Sequence, residues 1–239
     1  MSIRVLDLFS GIGGMTLGLE AAGPFRPVGF CESDRFCQRV LGKNWPGVPI
    51  YPDARTMRHD GDVDIITSGD PCQQDSIANA GRDGDSMWPL ALRQIERHRP
   101  VYVLRENVLG NVTTGTAERV ERDLVSNGYR VRTYVIPADA VGAAHQRLRT
   151  WTLAYADRAG SQECNDAAVA SRPKRWQHTC HLGPTGLRWI STESPVLRTV
   201  DDVPNGLDRI KALGNSVVPE IPYRFGLAIM AQRKAASSR

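Results

Sequence analysis

One cysteine, Cys72, has a sequence context that suits chemistry better than core packing. It follows the apolar run Val63–Ser68, lies between Pro71 and Gln73, and precedes a polar, glycine-bearing loop that extends to Ser86. In open α/β sheets, sites form at the carboxyl ends of strands. A thiol there can act as a nucleophile if nearby positive charge lowers its pKa from about 8.5. A structural thiol is the alternative, and the position after a strand favours the nucleophile.

Four other segments carry residues that can bind ligands or move protons. DLFSGIGG at 7–14 places a glycine-rich turn between a strand and a helix, where free backbone N–H groups can meet a ligand. Glu32, at the end of the next strand, fits a ribose hydroxyl. The remaining segments are RENV at 105–108, HQRLR at 145–149 and LGNSVVP at 213–219. Taken singly, each could instead be a packing turn, a solvated cap or a basic surface.

Together, the five segments resemble the DNA (cytosine-5) methyltransferases. DLFSGIGG, PCQ, ENV, the RxR of HQRLR and GNSVVP occur in that family's order and at approximately its spacing, over roughly residues 3–155 and 205–230. The resemblance implies an α/β fold of the Rossmann-like, S-adenosylmethionine-dependent methyltransferase type. It implies a mostly parallel sheet and a small, irregular target-recognition region.

The resemblance also implies a reaction. A methyl group would pass from S-adenosylmethionine to C5 of cytosine in double-stranded DNA, through a covalent bond between Cys72 and C6, with the base flipped out of the duplex. Glu106 would contact N3 and the amino group of that cytosine. Arg147 and Arg149 would lie at the target base, and their charge could lower the pKa of the Cys72 thiol.

The cofactor site is likewise implied by the resemblance. Glu32 would bind the ribose of S-adenosylmethionine, and Asp53 would contact the adenine amino group. The C-terminal segment would return to pack on the first strand and complete the pocket. The other residues expected to line it are Phe9, Gly11, Gly13, Gly14, Asn215 and Ser216, with Met87 or Trp88 as a further wall.

DNA contacts are expected in two places. In the loop Gln73–Ser86, Ser76 matches a phosphate-contacting serine of the family, and Arg82 suits a mobile, anion-facing loop. Residues 172–189 contain no acid and interleave basic with aromatic side chains, which favours DNA recognition over a solvated loop because arginine pairs with guanine and phosphate. The basic residues there are Arg172, Lys174, Arg175 and Arg188.

Three residues depart from the family pattern. Asp70 stands where the family usually has an apolar residue or proline, and Asp75 lies near a position that is usually aromatic. Acids beside a nucleophile raise a thiol pKa and repel phosphate. Arg105, also atypical, could offset them.

The elements that must position these residues alternate along the first 155 residues. Strands are predicted at 3–8, 27–31, 63–68, 101–104, 129–136 and 149–154, and helices at 14–22, 34–42, 88–97, 117–127 and 223–234, with a frayed tail at 235–239. This alternation predicts βαβ units and a sheet covered on both faces. We expect a catalytic domain from residues 1–156 and 201–239, and a recognition region from 157–200, whose shortness predicts a short or relaxed target sequence.

Composition sets the remaining expectations. The 239 residues are 41% hydrophobic and 23% charged, with a net charge of +4 that falls entirely in residues 151–239. The five cysteines, without a secretory signal, argue against a disulfide framework. Cys164, His178, Cys180 and His181 do not match standard zinc spacing, so no metal is expected. We expect no membrane contact and a cytoplasmic, nucleoid-associated monomer, with a dimer as the alternative.

Two other functions compete with DNA methylation. The first is cytosine-5 methylation of RNA, as in the tRNA-directed branch of the family. The second is a catalytically inactive, DNA-binding relative, which only Asp70 and Asp75 support and which the intact Cys72, Glu106 and Arg149 oppose. The small size also resembles methyltransferases encoded by bacteriophages.

Overall fold

The structure is a computed structural model that describes residues 2–71, 87–143, 147–156 and 215–237. The strands are β1 (Ile3–Leu8), β2 (Phe25–Cys31), β3 (Ile50–Tyr51), β4 (Ile65–Ser68), β5 (Tyr102–Val108), β6 (Tyr129–Pro137) and β7 (Leu148–Ala156). The helices are α1 (Gly14–Ala22), α2 (Arg35–Asn44), α3 (Trp88–His98), α4 (Gly110–Thr113), α5 (Thr116–Ser126) and α6 (Glu220–Ser237), with a 3₁₀ turn at Ala138–Val141.

The seven described strands form one sheet in the order β3-β2-β1-β4-β5-β7-β6. Pairing is parallel from β3 to β5, whereas β7 runs antiparallel to both β5 and β6. The predicted mostly parallel α/β sheet is therefore confirmed. The antiparallel strand brings its first residues to the edge where the parallel strands end.

Helices cover both faces because the strands bury alternate residues on opposite sides. On one face, Ile3 and Val5 of β1 pack with Phe225 of α6. On the other face, Leu6 and Leu8 belong to a cluster that includes residues of α3 and α5. None of the described helices combines the length and apolar character that a membrane span requires.

The C-terminal helix packs mainly on α1, and it also reaches the first strand, on which the C-terminal segment was expected to pack. A Cβ atom built on Gly18 would lie 2.1 Å from the carbonyl oxygen of Pro219. The side chain of Ser216 lies against Gly14 at the start of α1. The helix reaches β1 only through the shared apolar cluster that contains Ile3 and Val5.

Several predicted boundaries were wrong. Strand β5 continues through Val108 instead of stopping at Leu104, because β7 pairs with it along its whole length. Strand β3 was missed, since two residues give no periodicity. Helix α6 begins at Glu220 and runs to Ser237, so the first part of the tail expected to fray is helical. Residues 157–214, with the predicted recognition region, lie outside the described residues.

The contact between α1 and α6 can be tested with a single methyl group. Gly18→Ala forces a Cβ into the Pro219 backbone, and overpacking of this kind costs about 1–3 kcal/mol of unfolding free energy. In the control Gly42→Ala, on the exposed face of α2, the new Cβ meets only Ile50 Cδ1 at 3.7 Å. That variant should gain about 0.5–1 kcal/mol from helix propensity. Urea denaturation measures both; equal stability of the two variants would contradict the packing described here.

Candidate functional site

The glycine-rich turn after β1 depends on backbone conformations that favour glycine. Phe9, Gly11 and Gly13 have φ angles of 54°, 54° and 88°. A Cβ atom at Gly13 would lie 2.5 Å from the Trp45 ring, whereas a Cβ atom at Gly11 would meet nothing within 4 Å. Gly13 therefore supplies both the turn and room for Trp45, and Gly11 leaves open space beside the loop.

Glu32 links this turn to the start of α2. One oxygen of its carboxylate accepts a hydrogen bond from the Gly11 N–H at 2.7 Å, and the other accepts from the Asp34 N–H at 2.8 Å. Asp34 in turn caps α2 by accepting from the N–H groups of Phe36 and Cys37. Glu32 is partly exposed, so its carboxylate can also reach a ligand.

Asp53 lies just beyond β3, at the same edge of the sheet as Glu32. Its carboxylate accepts from the Arg55 N–H at 2.8 Å, and the side chain is 42% exposed. Burial, followed by the charges of Glu32, Asp53 and Asp7, raises the pKa of the Cys31 thiol to about 12. Cys31 is therefore an inert thiol, and the surrounding acids make this pocket attractive to hydroxyl and amino donors.

The C-terminal segment reaches the glycine turn from the other side. Ser216 Oγ lies 2.9 Å from the position of a Cβ atom on Gly14, and Val217 Cγ2 lies equally close. Asn215 is exposed. The structure thus brings Ser216 beside the first turn of α1, as the sequence analysis expected.

The region around Glu106 is the second part of the site. Glu106 lies in β5 and is 8% exposed. Its neighbour across the sheet is Trp151, so Arg149, two residues earlier on β7, is a diagonal neighbour on the same face. Arg149 Nε lies 2.9 Å from Glu106 Oε1. The Thr150 hydroxyl fixes this end of β7 by bonding to the carbonyl groups of Asn107 and Val108.

Glu106 is a buried carboxyl with an unused acceptor. Burial raises its pKa, and the charges of Arg149, Arg147 and Arg105 partly oppose this effect, while Asp70 adds to it. The contact with Arg149 is an ion pair without hydrogen-bond alignment, and within the described residues Oε1 has no hydrogen-bond partner. Buried polar atoms are normally paired. Oε1 therefore lies beside Arg149 without a hydrogen bond, and the raised pKa means that the carboxyl keeps its proton to a higher pH than an exposed glutamate does.

Asp70 has the opposite environment. Its carboxylate accepts two hydrogen bonds from Arg105, both at 2.7 Å, and others from Asn107 and Ser68. The expectation that Arg105 offsets the charge of Asp70 is confirmed. Asp70 lies at the end of β4 and its carboxylate is directed to β5, so it presents no unpaired charge at the site.

Trp88 contradicts one expectation from the sequence. It is fully buried, its indole N–H donates to Asp123, and the Arg105 guanidinium lies 5.5 Å from its ring centre. The Trp88 ring therefore packs against the Arg105 guanidinium. Because Trp88 is fully buried, it does not form a wall of the cofactor pocket. Met87, the other candidate, precedes α3 and is partly exposed.

Comparison with known proteins decides the family. The family model for C-5 cytosine-specific DNA methylase matches residues 3–179. This chain belongs to that family. Curated relatives include type II methyltransferase M2.BsuMI of Bacillus subtilis, 30% identical over 79% of this chain and 53% of its own length. Another is M.CviJI of a Paramecium bursaria Chlorella virus, 31% identical over 64% and 43%. The chain spans about half the length of such relatives.

Solved structures share the fold of this cytosine-5 methylase family member. A putative DNA modification methyltransferase encoded within an Escherichia coli prophage matches with a TM-score of 0.60 and 24% identity, over 72% of this chain and 51% of that one. The Entamoeba histolytica methyltransferase EhMeth matches with a TM-score of 0.65 and 13% identity, over 97% and 98%. The Rossmann-like methyltransferase fold is confirmed.

Other predicted site residues of this methylase chain lie outside the described residues. They are Cys72, Asp75, Ser76, Arg82, Arg172, Lys174, Arg175 and Arg188, together with Cys164, His178, Cys180 and His181. The sequence analysis assigned no role to Asn107, which binds both the carbonyl and the carboxylate of Asp70. The sequence feature that could have pointed to Asn107 is the polar run 105–107, which directly follows an apolar strand.

The raised pKa of Glu106 predicts a pH-dependent effect of Glu106→Gln on stability. A carboxyl whose pKa is raised by folding opposes folding as the pH rises above its unfolded value of about 4.5, and the loss is complete above its folded pKa. Glutamine removes this loss. The melting temperature of Glu106→Gln minus that of the wild type should therefore increase from pH 4.5 to pH 8.

Glu96→Gln, at an exposed position on α3, is the matched control and should show a flat difference. A flat difference for Glu106→Gln as well would mean that burial of Glu106 does not perturb its ionisation.

Proposed function

We propose that this chain transfers a methyl group from S-adenosylmethionine to C5 of cytosine in double-stranded DNA. Membership of the cytosine-5 methylase family supports the reaction class. Curated relatives described as type II methyltransferases support DNA as the substrate. We further propose that catalysis proceeds through a covalent bond between Cys72 and C6 of a flipped-out base.

The observation that best supports the proposal is the raised pKa of the buried Glu106 carboxyl. A cytosine ring that has gained a nucleophile at C6 carries extra electron density that N3 can share. A carboxyl with a raised pKa can deliver or share a proton at N3, and we assign this role to Oε1, which faces Arg149 but accepts no hydrogen bond among the described residues. An ordinary exposed glutamate would be ionised and hydrated, and would accept hydrogen bonds only. The buried position of Glu106 therefore suits protonation of a ring nitrogen.

The residues at the glycine turn suit S-adenosylmethionine because they offer space and hydrogen-bond acceptors. A Cβ atom at Gly11 would meet nothing within 4 Å among the described residues. The carboxylates of Glu32 and Asp53 are both accessible and can accept from ribose hydroxyls and from an adenine amino group. When bound, the cofactor supplies an electrophilic methyl group. Phe9, Gly13, Gly14, Asn215 and Ser216 complete the proposed pocket.

The chain's own groups perform the remaining steps. The Cys72 thiolate would add to C6 while Glu106 gives a proton to N3, which makes C5 nucleophilic toward the methyl group that the cofactor would supply as its S–CH3 bond breaks and a neutral thioether leaves. Loss of the C5 proton to a base and return of the N3 proton to Glu106 would then let the thiolate leave and restore the aromatic ring. Arg147 and Arg149 contribute positive charge near Glu106, which stabilises the negative charge that develops on the base.

DNA is proposed to bind through residues on two segments. Ser76 and Arg82 would contact the backbone beside the flipped base. The basic and aromatic stretch 172–189, with Arg172, Lys174, Arg175 and Arg188, would read a short target sequence within the recognition region 157–200. We propose that the chain acts as a monomer.

Bisulfite sequencing of plasmid DNA from cells that express the chain tests the function. The wild type should methylate cytosines in one short sequence context. Cys72→Ala should abolish all methylation because no other group can replace the thiolate. The control Cys37→Ala, a buried thiol in α2 that has no proposed role in the chemistry, should methylate the same context.

Three outcomes would contradict the proposal. Methylation by Cys72→Ala at the wild-type level would exclude the covalent step. Absence of DNA methylation by the wild type, with methylation of cellular RNA, would assign the activity to RNA. Retention of plasmid DNA without methylation of either nucleic acid would identify an inactive, DNA-binding relative.

A further inference from the structure

Asp70 and Arg105 form an ion pair in the interior. They are 5% and 1% exposed. Arg105 Nε and Nη2 each donate to one Asp70 oxygen at 2.7 Å. Asn107 Nδ2 and Ser68 Oγ donate to the same two oxygens, each at 3.2 Å. The carboxylate thus receives four hydrogen bonds, which is the full number that two oxygens readily accept.

The pair joins two neighbouring strands at the end of their pairing. Ser68 ends β4 and lies opposite Arg105 of β5. Asp70 lies two residues further along the chain, and its carbonyl oxygen accepts a second bond from Asn107 at 3.3 Å. Both the backbone and the side chain of Asp70 are therefore fixed to β5.

The same segment of β5 carries Glu106. Arg105 and Asn107 hold Asp70, and Glu106 lies between them in the sequence, with its side chain on the opposite face. Residue 70 is also two positions before Cys72 in the chain. A displacement of Asp70 relative to β5 would therefore change the distance between Glu106 and the point from which the chain leads to Cys72.

Stability alone does not account for this pair. A buried ion pair recovers little more than the cost of removing both charges from water, and apolar residues of similar volume often fold as stably or more so. The planar guanidinium fork, which lies 5.5 Å from the Trp88 ring centre, provides directional contacts that an apolar pair lacks. The pair is thus better suited to fixing a geometry than to adding stability.

We propose that Asp70 and Arg105 are a positioning pair, which holds the chain that leads to the nucleophile at a fixed place relative to Glu106. This inference rests on the proposed function. It assigns a role to two residues that touch neither substrate nor cofactor, and it explains why an acid is tolerated close to a thiolate: its charge is neutralised by Arg105 and directed into the protein.

The decisive variant replaces both residues, as Asp70→Leu with Arg105→Leu. It should melt within a few degrees of the wild type, yet its kcat for DNA methylation should fall by about 10–100-fold, with little change in KM for DNA, because small misplacements of reacting groups are costly. Arg105→Lys is the second variant. Lysine keeps the positive charge but cannot make the bidentate contact with Asp70, so the kcat of this variant should fall as well.

Arg4 and Asp64 supply a matched control at the opposite edge of the sheet. Arg4 Nε and Nη2 donate to the two Asp64 oxygens at 2.8 and 3.0 Å, so this pair is also two-pronged. Asp64→Asn should lower the melting temperature and leave kcat unchanged. Wild-type kcat in the double leucine variant or in Arg105→Lys would overturn the proposal.

A titration of Glu106 separates failure of this inference from failure of the proposed function. If the wild type methylates no DNA, the function is wrong, and the pair is judged by carbon NMR of the Glu106 carboxyl. Arg105→Lys keeps both charges of the pair, so a change in its Glu106 titration midpoint of about half a pH unit or more would report displacement of the pair relative to Glu106. An unchanged midpoint in a folded Arg105→Lys variant would overturn the proposal.

Discussion

The site depends on two buried carboxyl groups, those of Asp70 and Glu106, whose surroundings differ in the hydrogen bonds that they supply. Removing a charge from water is tolerated only if every oxygen gains a partner or if the group takes up a proton. Asp70 takes the first course, with four hydrogen bonds to its two oxygens. Glu106 lacks such a set of partners, because burial raises its pKa and Oε1 has no hydrogen-bond partner among the described residues. The Asp70 carboxylate fixes structure, and the Glu106 carboxyl is the one that we propose for chemistry.

Strand order explains how these groups come together. β1, β4 and β5 are neighbours and parallel, so the glycine turn, Asp70 and Glu106 all fall at one edge of the sheet. A parallel strand would deliver only its last residues to that edge. Because β7 runs the other way, it delivers its first residues, and Arg149 therefore meets Glu106. The antiparallel direction of β7 thus accounts for the contact between Arg149 and Glu106.

Much of the fold was predictable because alternating apolar residues reveal buried strands and amphipathic helices. The strand at 3–8 was placed correctly, and the helix at 88–97 within one residue. The end of β5 was not predictable, since RENV is polar and becomes strand only through pairing with β7, a contact distant in sequence. The ion pair between Asp70 and Arg105 was anticipated from two atypical residues, but Asn107 and Trp88 join it through packing that no local pattern encodes.

The central claim is that Cys72 forms a covalent bond with the target cytosine. Incubation with S-adenosylmethionine and duplex DNA that contains 5-fluorocytosine should halt the reaction after methyl transfer, because the fluorine cannot leave as a proton does. Mass spectrometry of the digested complex should then find the nucleotide, with its added methyl group, on the peptide that contains Cys72. Methylation of ordinary DNA together with no trapped species, or with a nucleotide on a different cysteine, would contradict the account.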